Sequence, residues 1–206
     1  MHDYSIDRHP KEKILFFLAL AAILVTPVVN DTMSNAATYF GANTGWTVPL
    51  TAFPVFALFG GIYFAFDRYL WKWGWARKVL LVPDLNGTWV CAGQTTMKDG
   101  QNTTIDWSGR VTITQSWSKI SIHLKTQHSE SKSISASLFH EEGVGYRLLY
   151  QYSNNPNAKQ LELSKHSGST ELLFAENCST GEGHYFTDRH RRTVGTLKLE
   201  RKKING

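Results

Sequence analysis

The chain is short of several things, and each shortage removes a class of function. It has two cysteines, Cys91 and Cys178, both in strand-like sequence. They form no Cys-x-x-Cys and share no Cys/His spacing, so a zinc site is not indicated, and in a reducing compartment such residues are buried thiols. Titratable groups such as His123, His140, His184, Glu182 and Asp188 are present. None stands at the spacing of a nucleophile elbow, a metal motif or a phosphate loop, which argues against an enzyme. Excess charge is also missing: from residue 79 onward 15 Lys and Arg face 12 Asp and Glu. That is no footprint for a nucleic-acid polymer. The most telling absence lies between residues 14 and 66, which hold no Lys or Arg and a single acid, Asp31.

Two apolar runs fill that charge-free stretch, ILFFLALAAILVTPVV at 14–29 and VPLTAFPVFALFGGIYFAF at 48–66, with a polar linker at 30–47. A hydrocarbon core of roughly 30 Å needs about 20 helical residues, so the second run fits and the first draws on its flanks. The expectation is a membrane hairpin with helices at about 11–30 and 47–70. Arg8, Lys11 and Lys13 precede it, Arg68, Lys72, Arg77 and Lys78 come after it, and the linker has no cation. Both ends are therefore expected on the cytoplasmic side. Tyr69, Trp71, Trp73 and Trp75 interleave with the exit cations as an interfacial aromatic belt does. A signal peptide would share the basic start and short apolar core of the first run, and the second run's basic exit would still keep the downstream domain inside. Residues 1–78 thus read as an anchor and 79–206 as one cytoplasmic domain. The absence of intramembrane charge disfavours a selective channel or a proton-coupled transporter.

After Pro83 the pattern changes to short alternating segments broken by Gly, Asn, Asp and Ser clusters. It predicts eight strands, at 87–93, 103–115, 119–127, 132–139, 145–152, 169–177, 183–187 and 193–201. Ile105, Trp107, Val111 and Ile113 share one face of the second, Ile120, Ile122 and Leu124 one face of the third, and Ile134, Ala136 and Leu138 one face of the fourth. Arg110, His123, Ser133 and Ser135 stand opposite. One dry and one wet face over eight meandering strands predicts an eight-stranded antiparallel up-and-down β-barrel, lipocalin-like, which closes its edges and has room for one small ligand. A two-layer sandwich is the alternative. In the fifth strand Tyr146, Tyr150 and Tyr152 alternate with Arg147, Leu149 and Gln151, so something polar is met there. The Asn-rich stretch 153–159 reads as a turn without chemistry of its own.

Two stretches stand out. In Leu85-Asn86-Gly87-Thr88-Trp89 the glycine turns the chain into the first strand, and the tryptophan reads as a plug at one barrel end. The stretch 181–197 packs Arg189, Arg191, Arg192, His184 and His190 around the last turn. Arginine's planar fork suits phosphate and its face stacks on bases, while tyrosines nearby add stacking platforms. The plain alternative is a solvated hairpin tip.

The order of these parts resembles a known family. A two-helix hairpin is followed by L-x-G-x-W (Leu85, Gly87, Trp89), H-x-G (His166, Gly168), G-x-Y-F (Gly183, Tyr185, Phe186) and R-x-T-x-G-x-L-x-L (Arg191, Thr193, Gly195, Leu197, Leu199). This is similar to the SMODS-associated two-transmembrane β-strand-rich effectors of bacterial cyclic-oligonucleotide antiphage signalling, CBASS. The resemblance implies a barrel that binds a cyclic dinucleotide made by an associated nucleotidyltransferase. It further implies oligomerisation and helices that disrupt the inner membrane, killing the infected cell. The side chains expected to hold the ligand, by type and placement, are Arg189, Arg191, Arg192 and Thr193, with Arg110 and Arg147, and aromatic walls from Trp107, Tyr146, Tyr150 and Tyr185. A carrier of lipid would instead need an interior free of charge, and a protein-docking domain a barrel filled by its own side chains.

Overall fold

The protein is described from a computed structural model, and the structure describes residues 1–39, 53–97, 103–157, 165–189 and 191–202. The chain divides into two compact units, one comprising Arg8–Ala76 and the other Met1–Asp7 together with the chain from Arg77 onward.

In the first unit, α1 runs Lys11–Tyr39 and packs against α2, Phe53–Arg68. Pro10 precedes α1, where a residue without a backbone N–H costs nothing. The outward side chains of α1 are apolar, among them Phe16, Phe17, Leu24 and Val28, while Ala22 and Thr26 are covered. That is the inverse of a water-soluble helix and is what lipid demands. Among the described residues one helix, over Lys11–Ala36, is long and apolar enough to cross a membrane. α1 is longer than the apolar run that seeds it, because residues 30–39 of the polar linker continue the helix. The rest of the linker and the start of the second apolar run, residues 40–52, lie outside the described residues. A 3-10 turn at Leu70–Lys72 comes after α2. Tyr69, Trp73 and Trp75 are exposed, whereas Trp71 is fully covered.

The helix α3, Gly74–Leu80, runs across the boundary between the two units, and the second unit is a closed barrel with two short strands, β1 (His2–Asp3) and β2 (Ser5–Ile6), from the chain's start. The eight barrel strands are β3 (Gly87–Met97), β4 (Thr104–Gln115), β5 (Lys119–Thr126), β6 (Ser129–Glu141), β7 (Gly145–Pro156), β8 (His166–Phe174), β9 (Thr180–Thr187) and β10 (Thr193–Arg201). They pair antiparallel in the order β5-β4-β3-β10-β9-β8-β7-β6, and β5 meets β6 to close the ring. The up-and-down barrel expected from alternation is the fold found.

The closing seam is narrow, with only His123↔Lys132, Leu124↔Ser131 and Lys125↔Glu130 in register. Beyond it the chain's start fills the gap: His2 and Asp3 pair with Ile120 and Lys119, and Ser5 and Ile6 with Ser137 and Leu138. Residues 1–7, read from sequence as part of the anchor, are thus part of the barrel wall. Strands of two residues carry no periodicity, so the sequence pattern is silent about them. Tyr4 is buried between them, and its hydroxyl accepts from Gln115 Nε2 at 3.1 Å.

One predicted facing is reversed. The β6/β7 register passes from Ser133↔Tyr152 to Ser135↔Gln151, so Ile134 is the extra residue of a bulge and is 56% exposed. A bulge shifts the two-residue period, which turns Ser131 and Ser133 inward ahead of it and Ala136 and Leu138 inward after it. Ser133 Oγ accepts the backbone N–H of Ile122 at 2.9 Å and contacts His2 Nε2 at 2.7 Å, a side-chain bridge where the ladder is missing.

One end of the barrel is solid. Gly87, at φ 133°, turns the chain into β3 in a conformation other residues avoid. Trp89 is fully buried two positions on, donates Nε1–H to Leu85 O at 3.1 Å, meets the Phe174 ring edge-on at 5.0 Å, and carries the Arg201 guanidinium over its face at 4.7 Å. Asn86 and Gln115 lock this end through Gln115 N→Asn86 Oδ1 (2.7 Å), Asn86 Nδ2→Gln115 O (2.9 Å) and Leu85 N→Gln115 Oε1 (2.9 Å).

Candidate functional site

The opposite half is hollow. A cavity of ≈ 590 Å³ opens at the end that carries the β9–β10 turn, within the roughly 300–1,000 Å³ typical of small-ligand sites. Its floor is Tyr150, Thr170, Leu124 and Leu197, and its wall is mostly hydroxyls, amides, imidazoles and aromatic rings.

The aromatic wall is built by glycines. Trp107, Tyr185 and Tyr152 lie flat against the sheet, each over a glycine: Gly93, Gly195 and Gly168 respectively. A Cβ at any of the three would collide with the ring, so these glycines are what lets bulky side chains line the wall without filling the lumen. The rings are tied together. Trp107 Nε1 donates to Thr95 Oγ1 at 2.9 Å, Thr95 Oγ1 shares a short hydrogen bond with the Tyr185 hydroxyl, and the Trp107 and Tyr185 centroids are 6.2 Å apart, edge to face. Burial pushes the Tyr150 phenol up to about 12 and raises Tyr152 as well, so both present neutral hydroxyls near neutral pH.

The cation in the wall is Arg191, placed there by its turn. Asp188 Oδ2 accepts the Ser167 N–H at 2.9 Å, Asp188 O accepts from the Arg191 and Arg192 amides at 3.2 and 3.0 Å, and Arg192 closes the turn at φ 50°. This tight turn aims Arg191 back over the mouth, where Nη1 reaches His166 Nδ1 at 3.2 Å. A guanidinium only donates, so in this contact the histidine nitrogen is the acceptor. Thr193 is buried beside it, its N–H donating to Thr187 Oγ1 at 2.9 Å and its hydroxyl 3.0 Å from the same atom. Asp106, at the rim, accepts from Gln94 Nε2 at 2.9 Å. Among the described residues no His, Cys, Asp and Glu side chains gather into a metal-holding group.

Of the side chains expected at the site, Arg191, Thr193, Tyr185, Trp107 and Tyr150 are brought together around this cavity. The other five are not. Arg189 and Arg192 are exposed, and Arg192 Nε turns back to donate to Arg189 O at 3.1 Å. Arg110 stands on the outer face of β4, between Val90 and Lys125 in register. Arg147 is also outside, ion-paired to Glu141 and Glu171. Tyr146 faces inward at the solid end, 5.0 Å from the His140 ring. His190, in the same turn, lies outside the described residues.

His166, Asn154 and Tyr152 line the cavity without having been expected there from sequence. His166 stands in the H-x-G element, so a signal was present. Asn154 was concealed by its neighbours: an Asn-rich stretch reads as a turn, yet β7 runs on through Pro156 and places Asn154 inward after Tyr150 and Tyr152.

A closed antiparallel barrel, solid at one end and hollow at the other, with aromatic and polar walls and Arg191 lining the hollow end, defines a small-ligand receptor barrel. The family model described as the Cap15 cyclic dinucleotide receptor domain matches residues 80–201, and that described as Cap15 TM helices matches residues 12–72. The chain belongs to the Cap15 family. Among its relatives, CD-NTase-associated protein 15 of Yersinia aleksiciae is 39% identical over 157 residues, which cover 75% of this chain and 74% of that protein. The protein of the same name from Staphylococcus schleiferi is 28% identical over 143 residues, 69% of this chain and 74% of its own.

Proposed function

We propose that the hollow half of the barrel binds a cyclic dinucleotide, that the bound form assembles into oligomers, and that assembly makes the helices disrupt the inner membrane of an infected cell. The observation that carries this reading is the pairing of Arg191 with a cavity walled by Trp107, Tyr185, Tyr150 and Tyr152. The guanidinium offers donors to phosphate, and the rings offer faces to bases. Neutral phenols add hydrogen bonds without repelling an anion. A lipid carrier would require an apolar lumen, and Arg191, Asn154 and His166 oppose that.

Both ends of the hairpin are assigned to the cytoplasm, with residues 79–206 as the sensing domain, so the receptor shares a compartment with the nucleotidyltransferase that makes its ligand. A ligand drives assembly only through tighter binding to the assembled form than to the resting one, by about 5.5 kcal/mol for a switch from 1:99 to 99:1. The test is the full chain in vesicles of bacterial phospholipid loaded with dye. A cyclic dinucleotide should trigger dye release together with a shift of crosslinked protein to higher mass. Ligand binding without either change would remove the effector half of the proposal.

A further inference from the structure

We infer that residues 1–7 are an exchangeable strap, and that the assembled form is built by each copy seating its strap in the barrel seam of a neighbouring copy of this chain. The inference rests on the assembly reading above and names the surface that carries it.

The β5–β6 pairs end at His123↔Lys132, and beyond them the facing strand edges are spanned by the chain's start. His2 and Asp3 pair antiparallel with Ile120 and Lys119, and Ser5 and Ile6 pair parallel with Ser137 and Leu138. The slot fits this segment closely. Tyr4 is 3% exposed, Asp7 N donates to Leu138 O at 2.9 Å, and Ser5 Oγ donates to Ser137 Oγ at 2.7 Å. An uncovered strand edge is a template for pairing with another chain. A strap of the same sequence from a second copy makes the same contacts, so what is lost in one seam is regained in another, and exchange is a low-cost route to assembly.

The connection to the rest of the chain favours exchange. Asp7 is the last strap residue of the barrel unit and α1 begins at Lys11, which leaves Arg8, His9 and Pro10 as the hinge. Arg8 is held at φ 53°, a left-handed backbone unfavourable for a residue with a Cβ, and Pro10 fixes its own φ. Short hinges under strain invite swapping, because the strain relaxes when the hinge spans two copies. The seam is also a wall of the cavity. Leu124 and Ser131 line it and are a register pair of the seam. Two residues along each strand, Ser133 Oγ accepts the Ile122 N–H at 2.9 Å and meets His2 Nε2 at 2.7 Å. A ligand filling the cavity therefore abuts the seam that the strap completes, and it promotes exchange by binding the opened seam more tightly than the closed one.

The test uses the full chain as two single variants, Ser5→Cys and Ser137→Cys, reconstituted together in vesicles of bacterial phospholipid. They are oxidised with copper phenanthroline, with and without each of the 3′,3′-cyclic dinucleotides of adenine, guanine, cytosine and uracil. The two hydroxyl oxygens are 2.7 Å apart, so cysteines there reach a disulfide. A bond between unlike copies requires an exchanged strap, and its yield should rise about tenfold or more with an activating ligand. Cys91 and Cys178 are buried, and the parent under the same oxidation gives the background. In the second arm one chain carries both substitutions and is oxidised before ligand is added, which ties the strap to its own seam. This locked chain should bind the ligand, stay monomeric and retain the dye, and dithiothreitol should restore assembly. Should either serine variant lose its cooperative melt, Asp3→Cys with Lys119→Cys, register partners at the strap's other flank, takes its place. Ligand-driven assembly without a disulfide between unlike copies, or undiminished in the locked chain, overturns the exchange and leaves the assembly reading standing. A doubly substituted chain that forms no internal disulfide at either pair overturns the seating of the strap itself. A parent that binds ligand and does not assemble overturns both the exchange and the assembly reading.

Discussion

Replacing Arg191 by glutamine separates three arginines that share one turn and four residues of sequence. Arg191 is half-buried at the cavity mouth with Nη1 on His166 Nδ1, whereas Arg189 and Arg192 are exposed and engage each other. A hydrogen bond to a charged group contributes about 1.5–3 kcal/mol, so loss of the guanidinium should weaken cyclic dinucleotide binding roughly 10- to 150-fold. Arg191→Lys should fall between, since an ammonium keeps the charge and loses the fork that serves both His166 and a phosphate. Arg189→Gln and Arg192→Gln should stay within about threefold of the parent, as exposed substitutions do. The assay is titration calorimetry on the full chain in detergent at physiological salt, with a thermal melt on each variant to show that the barrel is folded. Unchanged affinity in Arg191→Gln, or a greater loss in Arg189→Gln or Arg192→Gln, would refute the assignment of the inward cation.

The packing carries other consequences. Trp89→Ala empties the solid end and should cost about 3–5 kcal/mol, seen as a melt lowered by at least 10 °C or so; an unchanged melt would contradict its role as the plug. Tyr4→Ala, or removal of residues 1–7, should open the β5–β6 seam and lower the melting temperature. Proton exchange at the Ile122 amide, bonded to Ser133, should rise in step, and unaltered exchange would mean that the chain's start does not hold the seam. Alkali should destabilise the barrel through Cys91 and Tyr150. Their ordinary values of 9.0 and 10.0 are both raised by burial to about 12, so the folded state holds protons that the unfolded state releases. Stability from these groups is complete below pH 9 and is lost as pH rises toward 12, on the order of 1.4 kcal/mol per pH unit per group. A melting temperature flat across that window would contradict their burial.

The barrel was legible because its strands are long enough to alternate. Val111 and Ile113 in β4 and Ile120 and Ile122 in β5 repeat every second residue and are buried as the period demands. The features that escaped are those that lack a period. The Ile134 bulge inserts one residue and inverts the facing on one side of itself, which no local pattern announces. The two-residue strands at the start are held by partners more than a hundred residues away. In the site, residue type pointed to the arginines of the last turn, and which of them lines the cavity depends on Asp188 capping the turn and on the left-handed backbone at Arg192. Arg110 and Arg147 alternate with inward residues and so belong outside by the same rule that built the barrel. Their chemistry had suggested a ligand; Arg147 has two carboxylates instead.

Whether the hollow end of this barrel is a cyclic dinucleotide site is tested most plainly by direct titration of the folded full chain against cyclic dinucleotides, with their linear counterparts as controls. Saturable binding of at least one cyclic species at micromolar affinity or tighter is expected, weakened by Arg191→Gln and absent for the linear controls. A folded barrel that binds none of them, or binds linear and cyclic forms alike regardless of Arg191, would contradict it.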